Sequence, residues 1–123
     1  MLTADVAVTP IAYLETVERL ADLTLGYRGE VIEFSWRPYV KRHPEQQADY
    51  DRLLASIRVH GIQRPLITFG RSVLIGMRRA EIGLALGIET ARCWRITEDV
   101  QQWRGRDLTR LDALKARCGA MAY

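Results

Sequence analysis

Cysteine and histidine are scarce in this chain, and their scarcity excludes several classes of site. The two cysteines, Cys93 and Cys118, lie far apart and form no C-x-x-C motif. Neither a disulfide framework nor a thiolate metal centre is therefore expected. The two histidines, His43 and His60, have no second metal ligand three or four residues further on. We expect reduced cysteines and no structural metal.

Long hydrophobic runs are also absent. No apolar stretch approaches the roughly 18 residues that span a bilayer, and residues 1–9 carry Asp5 but no basic residue. The sequence thus predicts neither a transmembrane segment nor a secretory signal, and we expect a cytoplasmic protein. With 123 residues, 48% hydrophobic and 27% charged, the chain fits one globular domain over residues 1–123.

Lysine is rare among the basic residues, since 16 of the 18 are arginine. The formal net charge is +3 and the isoelectric point is near 9.1. This charge permits nucleic-acid binding but is too small to require it. The position of each arginine therefore carries more weight than the count.

The N-terminal part of the chain is predicted to form a helix. Thr9 is a suitable N-cap, and Pro10 suits the first helical position. Apolar residues then recur at helical spacing over residues 10–24. Gly26 and Gly29 follow and end this helix.

A strand and a basic loop come next in the prediction. Polar and apolar residues alternate over residues 30–36, which indicates a half-buried strand. The proline-bounded segment 37–44 contains Arg37, Lys41 and Arg42. These side chains could contact nucleic-acid phosphates, and a solvated connection is the alternative.

The remaining elements complete a mixed α+β pattern. A helix begins at Glu45 and ends at Gly61, which is placed as its left-handed terminator. The further elements are strands over 66–69 and 72–75 joined by a hairpin-length turn, a helix closed by Gly87, a strand over 91–96, a short helix over 98–103 capped by Thr97, and a last helix over 107–118 with Leu108, Leu111, Ala113 and Leu114 as its apolar face. This order predicts a small mixed β-sheet packed with helices.

A glycine and two arginines between a strand and a helix form the most distinctive stretch. Gly76 allows a tight turn and a close backbone approach. The helix start attracts anions, and Arg78 and Arg79 add guanidinium groups suited to phosphate. Helical spacing places Arg79 on the face of Ile82 and Leu86, which is expected to bury. An ordinary surface helix with two solvated arginines is the alternative.

Several motifs in order resemble a known superfamily. Residues from about 30 to 100 resemble the ParB/sulfiredoxin fold, in particular the ParB N-terminal (ParB-like nuclease) domain. The matching segments are Arg37-Pro38-Tyr39, Leu53-Leu54-Ala55-Ser56-Ile57, Gly61-Ile62-Gln63-Arg64-Pro65-Leu66-Ile67, Ile75-Gly76-Met77-Arg78-Arg79 and Leu86-Gly87-Ile88. The resemblance covers over half of the chain, and helices extend it at both ends.

The resemblance implies a pocket for nucleotide phosphates. ParB uses this pocket for CTP, sulfiredoxins use it for ATP, and other relatives transfer phosphate or are described as nucleases. The implied phosphate-binding segment is Gly76, Met77, Arg78 and Arg79, and the implied facing wall is Gly61, Gln63, Arg64 and Pro65. A nucleoside triphosphate with Mg²⁺ is the implied ligand.

Two departures from the family pattern concern the chemistry. Met77 stands where sulfiredoxins have a cysteine and where ParB proteins usually have a glutamate. ParB proteins also supply an asparagine near the magnesium ion, whereas this chain contains no asparagine. Thiol chemistry on that pattern is lost, and metal-assisted hydrolysis is called into question. From a length of 123 residues we also expect no helix-turn-helix and dimerisation domains of a partitioning protein.

Three functions stay open at this stage. The leading hypothesis is a ParB-like nucleotide-binding domain acting in a DNA-related context, with phosphotransfer or weak hydrolysis as a further option. Glu33 is the one carboxylate nominated as a catalytic base, because the predicted strand carries it toward the pocket. The alternative for Glu33 is a solvated strand residue.

The other two hypotheses involve macromolecular partners. A phage- or plasmid-type protein that binds or cleaves DNA would use the basic side chains on phosphates, namely Arg37, Lys41, Arg42, Arg64, Arg71, Arg78 and Arg79. An adaptor with a vestigial nucleotide pocket would instead bind a protein partner or form a homodimer through its terminal helices.

Overall fold

A mixed five-stranded sheet lies at the centre of the computed structural model, which describes residues 9–36 and 44–119. The strands are β1 (Tyr13–Arg19), β2 (Thr24–Leu25), β3 (Tyr27–Arg28), β4 (Glu33–Phe34), β5 (Leu66–Phe69), β6 (Ser72–Ile75) and β7 (Thr90–Ile96), and the α-helices are α1 (Pro44–His60), α2 (Met77–Ala85) and α3 (Asp107–Arg117). The strand order is β1-β7-β5-β6-β2. The predicted α+β class is confirmed.

Both parallel and antiparallel pairs occur in this sheet. The β1–β7 and β5–β6 pairs are antiparallel, whereas β5–β7 and β2–β6 are parallel. A separate antiparallel pair is formed by β3 and β4. Because β5 and β6 run in opposite directions, the C-terminal end of β6 lies beside the N-terminal end of β5.

Different helices pack on the two faces of the sheet. Successive residues of a strand point to opposite faces, so Leu66 joins one apolar cluster and Ile67 the other. The Leu66 side packs under α2, which also contacts α1 through Ile82. The Ile67 side packs against Leu111 and Leu114 of α3. The sheet is therefore covered by helices on both faces.

The predicted helix over residues 10–24 is wrong, because this segment contains β1. All seven β1 residues pair with β7 in a continuous register, from Tyr13 opposite Ile96 to Arg19 opposite Thr90. Helical spacing was misleading here. Two of the residues that suggested a buried helical face, Leu14 and Val17, are 52% and 66% exposed. Pairing with a distant strand overrides the local pattern.

The start of the segment 10–24 and the residues that follow it also differ from the prediction. Thr9 and Pro10 cap no helix, and their carbonyls accept hydrogen bonds from Arg110 at 2.8 and 3.2 Å. The strand predicted over 30–36 is reduced to Glu33–Phe34. The basic side chains of the loop that follows, Arg37, Lys41 and Arg42, lie outside the described residues.

The C-terminal part of the prediction holds in outline. The short helix over 98–103 is a single 3₁₀ turn, Val100–Gln102, and its cap is Asp99 rather than Thr97, since the Asp99 carboxylate accepts from the Gln101 N–H. On α3, Leu111 and Leu114 are buried as expected. Leu108 and Ala113 are exposed, so the buried face of this helix is narrower than predicted.

The helix and strands around the distinctive stretch are confirmed. Helix α1 ends at His60, and Gly61 follows with a φ of +73° and donates its N–H to the Ile57 carbonyl at 2.8 Å. The β5–β6 hairpin and α2 occupy the predicted positions. Among the described helices, none has the length and apolar character needed to cross a membrane.

Candidate functional site

The turn from β6 into α2 is built on a glycine that no other residue could replace without strain. Gly76 has a φ of +96° and is the N-cap of α2. A Cβ atom at this position would lie 2.7 Å from Cδ2 of Leu66 and 2.9 Å from Nη2 of Arg79. Both the backbone conformation and the space therefore require glycine.

The side chain of Arg79 extends from the first turn of α2 to the residues that precede β5. Its side chain is 7% exposed, and Nη1 donates to the Arg64 carbonyl at 2.9 Å and to the Pro65 carbonyl at 3.5 Å. Ile82 and Gly83 on the same helical face are buried too, whereas Arg78 is exposed. The predicted helix face is therefore confirmed for Arg79 and Ile82, whereas Leu86 is only partly buried. The two adjacent arginines have different environments.

The buried guanidinium of Arg79 has no carboxylate counter-ion among residues 9–36 and 44–119. Burial, and after it the positive charge of Arg64, lower the pKa of Arg79 to about 10. The group is still protonated at neutral pH. A charge removed from water without a partner is unfavourable, and an anion bound beside it would relieve that cost.

Arg64 is the second arginine of the site, and it is tied to the end of α3. Its Nη1 donates to the Gly119 carbonyl at 2.6 Å, and its Cδ lies 3.5 Å from the Cβ position of Gly119. The Nε atom of Arg64 is buried and has no hydrogen-bond partner in the part of the chain that the structure describes. One donor of this guanidinium is therefore left unsatisfied by the described residues.

The site formed by Gly76, Arg64 and Arg79 at the start of α2 is called the α2 corner below. Arg92 on β7 also belongs to this corner, and sequence reasoning missed it. Its Nη2 donates to the Gln63 carbonyl. Two arginines, Arg79 and Arg92, thus hold three successive backbone carbonyls, those of Gln63, Arg64 and Pro65. No spacing in the sequence connects Arg92 with this segment, because the connection arises from the parallel pairing of β5 with β7.

Three other predicted site residues, Met77, Gly61 and Arg71, lie in different surroundings from the two site arginines. Met77 is partly buried and packs against the apolar cluster that contains Leu66 and Ala80. Gly61 ends α1 and has open space around its Cα. Arg71 lies in the β5–β6 turn, at the end of β6 opposite to Gly76, and is exposed.

Glu33, the nominated base, lies on the short β3–β4 pair. Its carboxylate accepts a hydrogen bond from the Ser35 hydroxyl and lies 3.7 Å from Nε of Arg28. The side chain is half exposed. Within the described ranges it forms no ion pair with Arg64 or Arg79, so the structure does not connect it to the α2 corner.

The donor set of the corner suits phosphate better than a metal ion. Gly76 lets the Arg79 guanidinium lie against its Cα, and Arg64 and Arg79 supply guanidinium donors. By contrast, the described residues contain no group of three or more histidine, cysteine, aspartate or glutamate side chains that could hold a metal. The residues present at this site therefore fit a phosphate group.

Comparison with known proteins gives structural matches only. No protein-family model and no curated protein matches the sequence. The structure is similar to the Pnob8-like ParB-N domain, with a TM-score of 0.55 and 19% identity over 82% of this chain and 35% of that chain. It is also similar to the C-terminally truncated chromosome-partitioning protein ParB from Caulobacter crescentus complexed with CTP-gamma-S, with a TM-score of 0.52 and 17% identity over 89% of this chain and 54% of that chain.

The chain spans 35% and 54% of the length of the two solved structures. At this level of identity the likeness concerns the fold. The chain has the fold of ParB N-terminal domains.

Proposed function

We propose that this chain is a ParB-like module that binds the phosphate groups of a nucleoside triphosphate at the start of α2. The observation that carries the proposal is Arg79, a buried arginine without a carboxylate partner among the described residues, packed against a positive-φ glycine at a helix N-terminus. A fixed cation of this kind is stabilised by a bound anion.

The backbone of α2 adds donors to the arginine side chains. The first hydrogen bond within the helix runs from the Ala80 N–H to the Gly76 carbonyl at 2.9 Å. The N–H groups of Met77, Arg78 and Arg79 precede it and have no acceptor within the helix. Together with the helix dipole they favour a phosphate at this end. Each charge-assisted bond contributes about 1.5–3 kcal/mol.

The solved relative supports a nucleotide as the source of that phosphate. The Caulobacter crescentus ParB was captured with CTP-gamma-S, and its fold is shared by this chain. We therefore propose CTP or ATP as the ligand class and a DNA-related process as the context. The residues present do not select between the two bases.

The proposal is one of binding rather than phosphotransfer or hydrolysis. The nominated base, Glu33, pairs with Ser35 and Arg28 instead of facing the site arginines. The guanidinium groups of Arg64 and Arg79 are hydrogen-bond donors and cannot accept a proton from water or from an alcohol. The site residues bind and orient phosphate, and no described residue among them is suited to act as a general base.

Isothermal titration calorimetry with CTP, ATP and inorganic triphosphate tests the proposal. Wild-type protein should bind at least one of them, and Arg79→Ala should weaken that binding by about tenfold or more. Arg71→Ala is the matched control, because Arg71 is an exposed arginine at the other end of β6. Equal losses in the two variants, or no binding by wild type, would contradict the proposal.

Binding measurements on the same wild-type protein and variants discriminate between the other two hypotheses. DNA binding through the exposed arginines would show a steep dependence on salt and no response to nucleotide. The absence of both nucleotide and DNA binding would favour the adaptor with a vestigial pocket. Arg78 is one candidate DNA contact in that case, since it is exposed beside the buried Arg79.

A further inference from the structure

Strand β1 forms one edge of the five-stranded sheet. It pairs with β7 along its whole length, and no described strand pairs with its other edge. Its register with β7 is continuous from Tyr13 to Arg19, so no bulge interrupts the strand. Leu14 and Val17 are 52% and 66% exposed. A regular edge strand with exposed apolar side chains is a template for pairing with another strand.

The flanking hydrogen bonds determine which backbone groups face the free edge. The Leu20 N–H donates to the Glu89 carbonyl at 2.9 Å, and the Thr97 N–H donates to the Ala12 carbonyl at 3.0 Å. Hydrogen-bonded pairs alternate along an antiparallel ladder. Even-numbered residues of β1 therefore direct their N–H and C=O groups toward β7. The odd-numbered residues direct theirs toward the free edge, and these are Tyr13, Glu15, Val17 and Arg19.

The side chains on this edge are self-complementary about Val17. If two copies of β1 pair antiparallel with Val17 opposite itself, Glu15 of one copy lies opposite Arg19 of the other. All three opposing pairs consist of residues whose backbone groups face outward, so each pair can exchange two N–H···O=C bonds. The two Glu15–Arg19 pairs place opposite charges on the same face of the joined sheet.

Neighbouring registers lack this complementarity. A register centred on Glu15 places that carboxylate opposite its own copy, which is unfavourable. A register centred on Thr16 places Glu15 opposite Val17, so no Glu15–Arg19 pair is directly opposite. Pairing ends naturally after Arg19, because the buried Leu20 begins a 3₁₀ turn.

The odd-numbered residues of β1 direct their backbone N–H and C=O groups outward, Val17 is exposed, and Glu15 and Arg19 are complementary in charge. From these three observations we infer that β1 is the contact between two copies of this chain. The two sheets continue into one another across an antiparallel β1–β1 pair centred on Val17. This contact lies on a different element from the α2 corner and does not depend on nucleotide binding.

A charge-swap series measured by sedimentation equilibrium tests the contact. Wild-type protein should show a concentration-dependent dimer. Glu15→Arg and Arg19→Glu each place like charges opposite one another twice in the dimer, so each should raise the dimer dissociation constant by about tenfold. The double variant restores opposite charges and should return the constant close to the wild-type value.

A proline substitution provides a second, independent measurement. The Val17 N–H faces the free edge, so Val17→Pro removes a donor to the second copy while leaving the β1–β7 hydrogen bonds intact. Dimerisation should be lost while the circular-dichroism spectrum is retained. Thr16→Pro removes a donor to β7 instead and should destabilise the monomer. A wild-type protein that stays monomeric at all concentrations, or a double variant that fails to recover, would overturn the inference.

Discussion

The guanidinium group of Arg79 packs against the Cα of Gly76, and a Cβ at that position would lie 2.9 Å from Nη2. The glycine therefore does two things at once. It permits the left-handed turn from β6 into α2, and it leaves the space that the buried arginine occupies. Substitution of either residue should affect the other.

Substitution of Gly76 should cost both stability and ligand binding. We expect Gly76→Val to lower the free energy of unfolding by about 1–3 kcal/mol, because a branched residue is strained at a φ of +96°. The displaced Arg79 should also bind phosphate more weakly. Urea denaturation and calorimetry measure the two effects. Gly105→Ala is the control, since Gly105 has open space around it and should tolerate the change.

The two adjacent arginines should contribute unequally to phosphate binding. Arg79→Ala should weaken binding more than Arg78→Ala, because Arg79 is held by the Arg64 and Pro65 carbonyls whereas Arg78 is exposed and screened. The loss at Arg78 should also shrink more at high salt. Calorimetry at two salt concentrations decides this. Equal losses, or greater salt sensitivity at Arg79, would contradict the assigned geometry.

Acid should weaken the attachment of α3 through Glu98. Two bonds from Arg110, at 2.8 and 2.7 Å, are the main reason that the pKa of Glu98 lies below its ordinary value, and the Ala12 and Trp103 N–H groups add to this. A carboxylate with a lowered pKa stabilises the fold above its unfolded-state pKa, and this contribution is lost as the pH falls through the folded-state value.

Urea unfolding as a function of pH measures this contribution. Wild-type stability should fall as the pH drops below about 4.5, the ordinary value for Glu98. Glu98→Gln should be less stable at neutral pH by about 1–3 kcal/mol and should show a shallower decline in acid. An unchanged pH profile in the variant would assign the acid sensitivity to other groups.

Cys93 should be unreactive in the native state. It is fully buried, and burial is the main reason that its pKa is raised to about 11. In a Cys118→Ser variant, iodoacetamide at pH 8 should modify Cys93 only after denaturant is added. Mass spectrometry of native and unfolded samples gives the result. Rapid native alkylation would show that β7 opens readily.

Much of the α2 corner follows from local sequence. Glycine before a helix, a hairpin-length turn before it and a three- and four-residue apolar spacing after it are short-range signals, and they correctly placed Gly76, Arg79 and Ile82. The same holds for the end of α1 at Gly61. Such features depend on the backbone preferences of a few consecutive residues, so a single sequence contains them.

Contacts between distant segments were decided by the tertiary structure alone. Residues 13–19 have a helix-like spacing, yet they form a strand because β7 offers them a complete ladder. The hydrogen bonds from Arg92 to Gln63 and from Arg64 to Gly119 likewise join residues far apart in sequence. The sequence by itself determined that Arg79 faces inward. Only the assembled sheet and α3 determined that it is buried beside Arg64 without a carboxylate among the described residues, since burial depends on what packs over a helix face rather than on the face itself.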